Sequence, residues 1–171
     1  MERKRNAEIE LVCAVASDQN CSSTRFFVPH EWSGSGSVRG EKLEEDDDKF
    51  AVQRVPSITL DSLFADSQMK EASLLFRIDV EGQEASVLEG MKGLLDLSSP
   101  FVGIVEFKTD SVDGQGTAAA DYIGLLRSRF ELYPFGKQGL IQDLDASNWL
   151  SNRSITDLIL VSVSYTHLRA H

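Results

Sequence analysis

Apolar positions along the chain fall into two kinds of run. Short, nearly continuous stretches fit buried strands, and stretches with apolar residues at i, i+3 and i+4 fit helix faces. Ile9 to Ala16 (Ile-Glu-Leu-Val-Cys-Ala-Val-Ala) is of the first kind, closed by Ser17-Asp18-Gln19-Asn20, and reads as a buried strand. Arg25 to Val28 is a shorter candidate ended by Pro29, and Phe50 to Val55 is an extended segment broken by Pro56. Leu60, Leu63 and Phe64 then mark one face of a short helix that Thr59 or Asp61 is able to cap.

Ser73 to Asp79 is apolar except for Arg77, as expected of a central strand with both sheet faces covered. After Gly82, the residues Val87, Leu88, Met91, Leu94 and Leu95 share one face of a helix that Ser98-Ser99-Pro100 stops. Phe101 to Phe107 is a second buried strand. A strand, helix and strand within about thirty residues predict a parallel, right-handed crossover. Ala118 to Arg129 predicts another helix, with Tyr122, Leu125 and Leu126 inward. Phe130 to Phe135 and Leu158 to Val163 are the last two strands, separated by a polar loop containing Trp149. The fold class is α/β.

Composition narrows the picture. At 171 residues and 42% hydrophobic content the chain has the length and the apolar material of one domain. Its net charge of -10 and pI near 4.7 leave no electrostatic footprint for nucleic acid or anionic lipid. Residues Glu31 to Lys49 read as loop: Ser33 to Ser37 is flexible, and Glu44 to Asp48 is a solvated acidic run. The two cysteines, Cys13 and Cys21, with no clustered histidines, match neither a disulfide framework nor a zinc site. With no membrane-length apolar run and no signal-peptide core, a cytoplasmic location is expected. Ser164 to His171 has no periodicity and is expected to be a non-native tail, which leaves residues 8–163 as the domain and His30 as its one imidazole.

Candidate chemistry sits where the central strand stops. Open α/β sheets place ligands beyond the carboxyl ends of their strands, and there the chain has Asp79, Glu81 and Gly82. Asp79 and Glu81 alternate along an extended backbone and point the same way. Held beside a helix amino terminus, such carboxylates accept a hydrogen bond from a hydroxyl, take its proton, or bind a cation. The plainer reading is that Glu81 caps the helix while Asp79 bonds loop amides. Glu106 ends the next strand, roughly 5 Å away, and either shares the pocket or caps its own loop. Glu84 and Glu89 read as solvated-face residues, and Gly82 as a turn that a Cβ would obstruct. Gly34 and Gly36 follow no strand and form no phosphate cradle. Arg77, if buried, needs a carboxylate partner that the sequence does not name. No metal ligand set is assigned.

Several of these pieces occur together. Thr59-Leu60-Asp61-Ser62-Leu63, then Leu75-Phe76-Arg77-Ile78-Asp79-Val80-Glu81-Gly82-Gln83-Glu84, Val87-Leu88-Glu89-Gly90 and Val105-Glu106 resemble the FkbM-type S-adenosylmethionine-dependent methyltransferases. The hallmark of that family is a Leu-Asp element followed by Asp-x-Glu-Gly-x-Glu and Val-Leu-x-Gly. The resemblance covers roughly residues 8 to 163. It implies a three-layer, Rossmann-like class I methyltransferase sheet, with S-adenosylmethionine as cofactor. It further implies methyl transfer to the oxygen of a hydroxyl acceptor of small-molecule, glycan or lipid type. Carried over by position, Asp79 and Glu81, with Glu106, lie beside the methyl-transfer site, and Ala14 and Val15, ahead of Ala16-Ser17-Asp18, lie near the adenine. The family's first two strands and glycine-rich loop are not in this sequence. The sheet is therefore expected to be truncated, with a gap between the Ile9 strand and the Ser73 strand, and the chain to bind cofactor poorly and not turn over, as a fragment of the enzyme.

Two other readings stand beside this one. A non-catalytic α/β module would use the open sheet edge or the acidic loop to bind a protein partner. A different carboxylate-metal enzyme on an α/β sheet, a phosphotransferase or hydrolase, is compatible with the fold alone.

Overall fold

The structure, a computed structural model of the chain, describes residues 9–31, 36–38, 49–65, 73–97, 100–107, 119–141 and 155–162, the side chains of 119–121 excepted. Its strands are β1 (Val15–Ala16), β2 (Cys21–Pro29), β3 (Phe50–Ile58), β4 (Leu74–Ile78), β5 (Phe101–Glu106), β6 (Phe130–Gly136), β7 (Gly139–Leu140) and β8 (Ile155–Ser162). The helices are α1 (Leu60–Leu63), α2 (Glu84–Glu89), α3 (Lys92–Leu97) and α4 (Ala119–Arg127). The acidic run 44–48, Trp149 and the 164–171 tail lie outside the described residues. None of the described helices is long and apolar enough to cross a membrane.

The strands form two sheets. A three-stranded sheet has the order β1-β3-β2, and a five-stranded sheet has the order β4-β5-β8-β6-β7. As the crossover rule predicts, β4 and β5 are parallel, from Leu74 opposite Phe101 to Ile78 opposite Val105. The reversed strand β8 is antiparallel to both β5 and β6. The chain is thus a mixed α/β fold. One apolar cluster joins α2, α3 and α4 to the inward residues of the larger sheet, among them Ile78, Met91, Val105, Leu126, Leu158 and Leu160. Phe101 and Phe130 meet edge to face within it, ring centroids 5.6 Å apart.

Several sequence expectations need correction. Only Val15 and Ala16 of the first candidate strand pair with β3; Ile9 and Leu11 are 81% and 91% exposed, since no described strand lies against them. The Arg25–Val28 strand runs from Cys21 to Pro29, and Gly36-Ser37 is not free, because Ser37 exchanges both backbone bonds with Phe27. Pro56 sits inside β3 and does not break it. The partner strand slips register between Cys21 and Thr24, opposite Val55 to Ser57, so the missing proline N–H falls at a bulge. The single helix expected after Gly82 is two, α2 and α3, although all five of its predicted apolar residues are buried. In α4, Tyr122 and Leu126 point inward as expected, but Leu125 is exposed and Ile123 takes the inward place. The second face of the large sheet, with Leu75 at 77% exposure and Arg77 beside it, is not covered by described residues in the way a two-sided strand requires.

Candidate functional site

The chain leaves β4 through an unusual turn. Glu81 has φ 50° and Gly82 φ 90°, two successive left-handed residues. Gly82 adopts this at no steric cost, whereas for Glu81 the conformation costs about 1–2 kcal/mol. Glu84 stabilises the turn from the first turn of α2. Its Oε1 accepts the Gly82 N–H at 3.1 Å, and the residue is only 5% exposed. The N-cap of α2, Gln83, makes no side-chain cap bond. Glu84 was read from sequence as solvated; it is instead a buried part of the site.

Strand register supplies the third acid. With Ile78 opposite Val105, the residues just beyond, Asp79 and Glu106, come side by side at the carboxyl ends of two parallel strands. The result is a cluster in which carboxylate oxygens of Asp79, Glu81 and Glu106 lie within 4.8 Å of one another. Arg77 Nη2 donates to Asp79 Oδ2 at 2.9 Å, which names its partner; at 65% exposure the guanidinium is not the buried group its strand suggested. The pair fixes the orientation of Asp79 and contributes at most about 1 kcal/mol. Arg77, Ile104, Phe135, Asp157 and Ile159 line a shallow concavity of about 270 Å³ on the uncovered face of the sheet, with Asp157 opposite Glu106 in register.

Three carboxylates this close repel one another unless a proton, a hydroxyl donor or a cation lies between them. The oxygens suit a hard divalent cation, which takes several carboxylate ligands at about 2.0–2.6 Å, and equally suit a substrate hydroxyl that donates its hydrogen.

Two further acids, Asp61 and Asp18, do different work. Asp61 leaves the capping of its own helix to Thr59, whose side chain accepts from the Ser62 N–H. Its carboxylate reaches α3 instead, Oδ2 accepting the Gly93 N–H at 2.9 Å and Oδ1 the Leu94 N–H at 2.8 Å. Asp18 accepts the Ser86 hydroxyl at 2.9 Å and the Ser17 hydroxyl at 3.0 Å. The Ser86 bond, chiefly, holds its carboxyl below the ordinary value. At Gly90 a Cβ would come within 1.9 Å of the Ser17 carbonyl oxygen, so the backbone approach admits only glycine.

These contacts place the cofactor candidates. Ala14 and Val15 are half-buried on the strand that leads into Ser17-Asp18. The segment that follows is docked on α2, where Ser86 bonds Asp18 one turn along from the acidic turn and Gly90 packs on the Ser17 carbonyl. Sequence reasoning missed Tyr122 as well as Glu84. Tyr122 is 1% exposed, and its hydroxyl has no hydrogen-bond partner among the described residues. Burial, and after it the charge of Glu84, push its pKa well above the ordinary value. Its inward helical position was legible; its neighbour was not.

A family model described as the Methyltransferase FkbM domain matches residues 4–132, from ahead of β1 into the start of β6. No curated protein and no solved structure matches the chain.

Proposed function

Because the chain belongs to the FkbM methyltransferase domain family, we propose that residues 8–163 are part of an S-adenosylmethionine-dependent enzyme that methylates a hydroxyl oxygen. The acceptor class that goes with this reading is a small molecule, glycan or lipid-type alcohol. The observation that carries it is the convergence of Asp79, Glu81 and Glu106 at the ends of adjacent parallel strands. S-adenosylmethionine, when bound, supplies an electrophilic methyl group on a sulfonium. The chain's own residues orient and deprotonate the acceptor. Asp79, tethered by Arg77, and Glu81 accept the acceptor O–H, so that its oxygen is lined up for attack and its proton passes to a carboxylate as the new C–O bond forms. Glu106 completes the polar wall. In this reading Ala14 and Val15, just ahead of the Ser17-Asp18 segment that bonds α2, border the nucleoside end of the cofactor.

The two sheets are read as the later part of a Rossmann-like sheet. β1 and β4 each have one strand partner among the described residues, which leaves an outer edge on both. Two further parallel strands joining those edges would unite the sheets. In this reading the 171-residue chain alone holds the cofactor weakly and does not turn over. Isothermal titration with S-adenosylmethionine is then expected to show no saturable heat below millimolar cofactor; tight binding overturns that part.

The catalytic assignment is tested by S-adenosylhomocysteine release in a form that turns over, with Asp79→Asn and Glu81→Gln. Each is expected to lower transfer by about 10²-fold or more with cofactor affinity unchanged. Full activity in both variants overturns the assignment. The open β4 edge, with Leu75 exposed, favours one second reading, an interaction module that pairs with a partner strand. Strand pairing with a partner that Asp79→Asn and Glu81→Gln leave unchanged would select it, since absent transfer by the 171-residue chain is expected under both readings.

A further inference from the structure

We propose that Glu84 is a positioning residue for the acidic site: its buried carboxylate fixes the turn that presents Glu81 to Asp79 and Glu106. The consequence for turnover rests on the methyl-transfer reading; the geometry does not.

The Gly82 N–H belongs to the peptide plane between Glu81 and Gly82. An acceptor that holds this N–H therefore holds ψ of Glu81 as well, and with it the direction in which the Glu81 side chain leaves the backbone. Glu84 Oε1 is that acceptor, at 3.1 Å in a buried setting where water does not compete. A charged acceptor on an amide makes a stronger bond than a neutral one. Released from it, Glu81 has reason to leave the left-handed region, because a residue with a Cβ is strained at φ 50°. Rotation of that one peptide carries the Glu81 carboxylate out of the cluster. Glu84 is only 5% exposed, so its carboxylate is held inside the packing and away from solvent. An acid that would ordinarily lie on the wet face of an amphipathic helix is thus committed to one backbone amide.

Three variants of the full chain test this. Glu84→Gln keeps an acceptor oxygen at the same reach, Glu84→Asp keeps the charge one methylene short, and Glu84→Ala keeps neither. In the Gln variant the neutral acceptor weakens the bond but keeps it, so the coupling-derived φ of Glu81 is expected to match wild type and Gly82 amide exchange to rise far less than in the other two. In the Asp and Ala variants, Gly82 exchange is expected to rise about tenfold or more and Glu81 to leave positive φ. If Ala unfolds the chain, the Asp variant decides. An unchanged Gly82 amide and Glu81 φ in Asp overturns the proposal, as does loss of the turn in Gln. In a form that turns over, Ala and Asp are expected to lower kcat by about tenfold or more with KM for the cofactor unchanged, and Gln to restore it. A folded variant that loses the turn yet keeps kcat overturns the positioning role. The amide measurements are made on the 171-residue chain, which is itself expected not to turn over, so they decide the turn whether or not the methyl-transfer reading holds.

Discussion

In the turn ahead of α2 three carboxylates crowd one another and Arg77 pairs with one of them, whereas the acids packed on α2 and α3 spend their oxygens on amide and hydroxyl donors. Asp79, Glu81 and Glu106 converge within 4.8 Å. Asp61, by contrast, spreads its two oxygens over two amides at the start of α3, and Asp18 receives two hydroxyls. Both groups belong to one sequence motif. Residue type does not separate them; what a carboxylate faces does. A staple holds α1 and the β1 end on α2 and α3: Asp61 bonds the start of α3, Gly90 admits the Ser17 carbonyl, Ser86 in the first turn of α2 bonds Asp18, and the Asp61 N–H donates to the Gly90 carbonyl. The turn ahead of α2 gathers the negative charge that the proposed reaction uses.

The sharpest way to break that division is Gly90→Ala. A Cβ would press on the Ser17 carbonyl at 1.9 Å, and Ser17 is itself tied to Ile58 by its N–H, so the strand end has to undock. The expected loss is about 3 kcal/mol, the upper part of the overpacking range, read from the urea midpoint. Gly82 amide protection at the other end of α2 should survive. If the turn opens as well, the two ends are one cooperative unit and the contrast drawn above is wrong.

Asp61→Ala comes next. It leaves the Gly93 and Leu94 amides without their acceptor, and about 2 kcal/mol is expected, with Asp61→Asn losing roughly half, since an amide group keeps a single acceptor oxygen. In a form that turns over, methyl transfer by whatever fraction stays folded should be unaltered. This is the reverse of the Asp79 and Glu81 variants, which are expected to cost turnover and leave the urea midpoint where it is.

Much of this was readable before any coordinates. β4 and β5, their parallel pairing and the two acids beyond β4 follow from apolar runs that stop on charge, and those runs are buried wherever a described element covers them. Ile9 to Val12 shows the limit: an apolar run has no way to state whether a neighbour strand exists, and here these residues are exposed. Glu84 shows another. A helical period assigns it to the wet face, and only the left-handed residues before it, which periodicity does not see, bring a backbone amide back to its carboxylate. The glycine at position 90, where α2 ends, is required by the Ser17 carbonyl, far away in sequence. In each case the missing information is a long-range contact.

The mildest test sharpens the staple through pH. Asp18 titrates below the ordinary carboxylate value, chiefly because the Ser86 hydroxyl donates to it. A carboxylate whose folded value is depressed contributes stability that is present above the unfolded value and lost as pH falls through the folded one. Ser86→Ala should therefore destabilise the chain at pH 7 by a few tenths of a kcal/mol, small because Asp18 is exposed and water competes for it. The gap should narrow as pH falls below about 4, the unfolded carboxylate value. It should not close, because the Asp18 N–H also donates to the Ser86 hydroxyl oxygen at 3.2 Å, and that bond does not titrate. Urea midpoints of both proteins measured at neutral and acid pH decide it: a gap that stays constant, or widens in acid, means that the Ser86 hydroxyl holds the Asp18 backbone and not its charge.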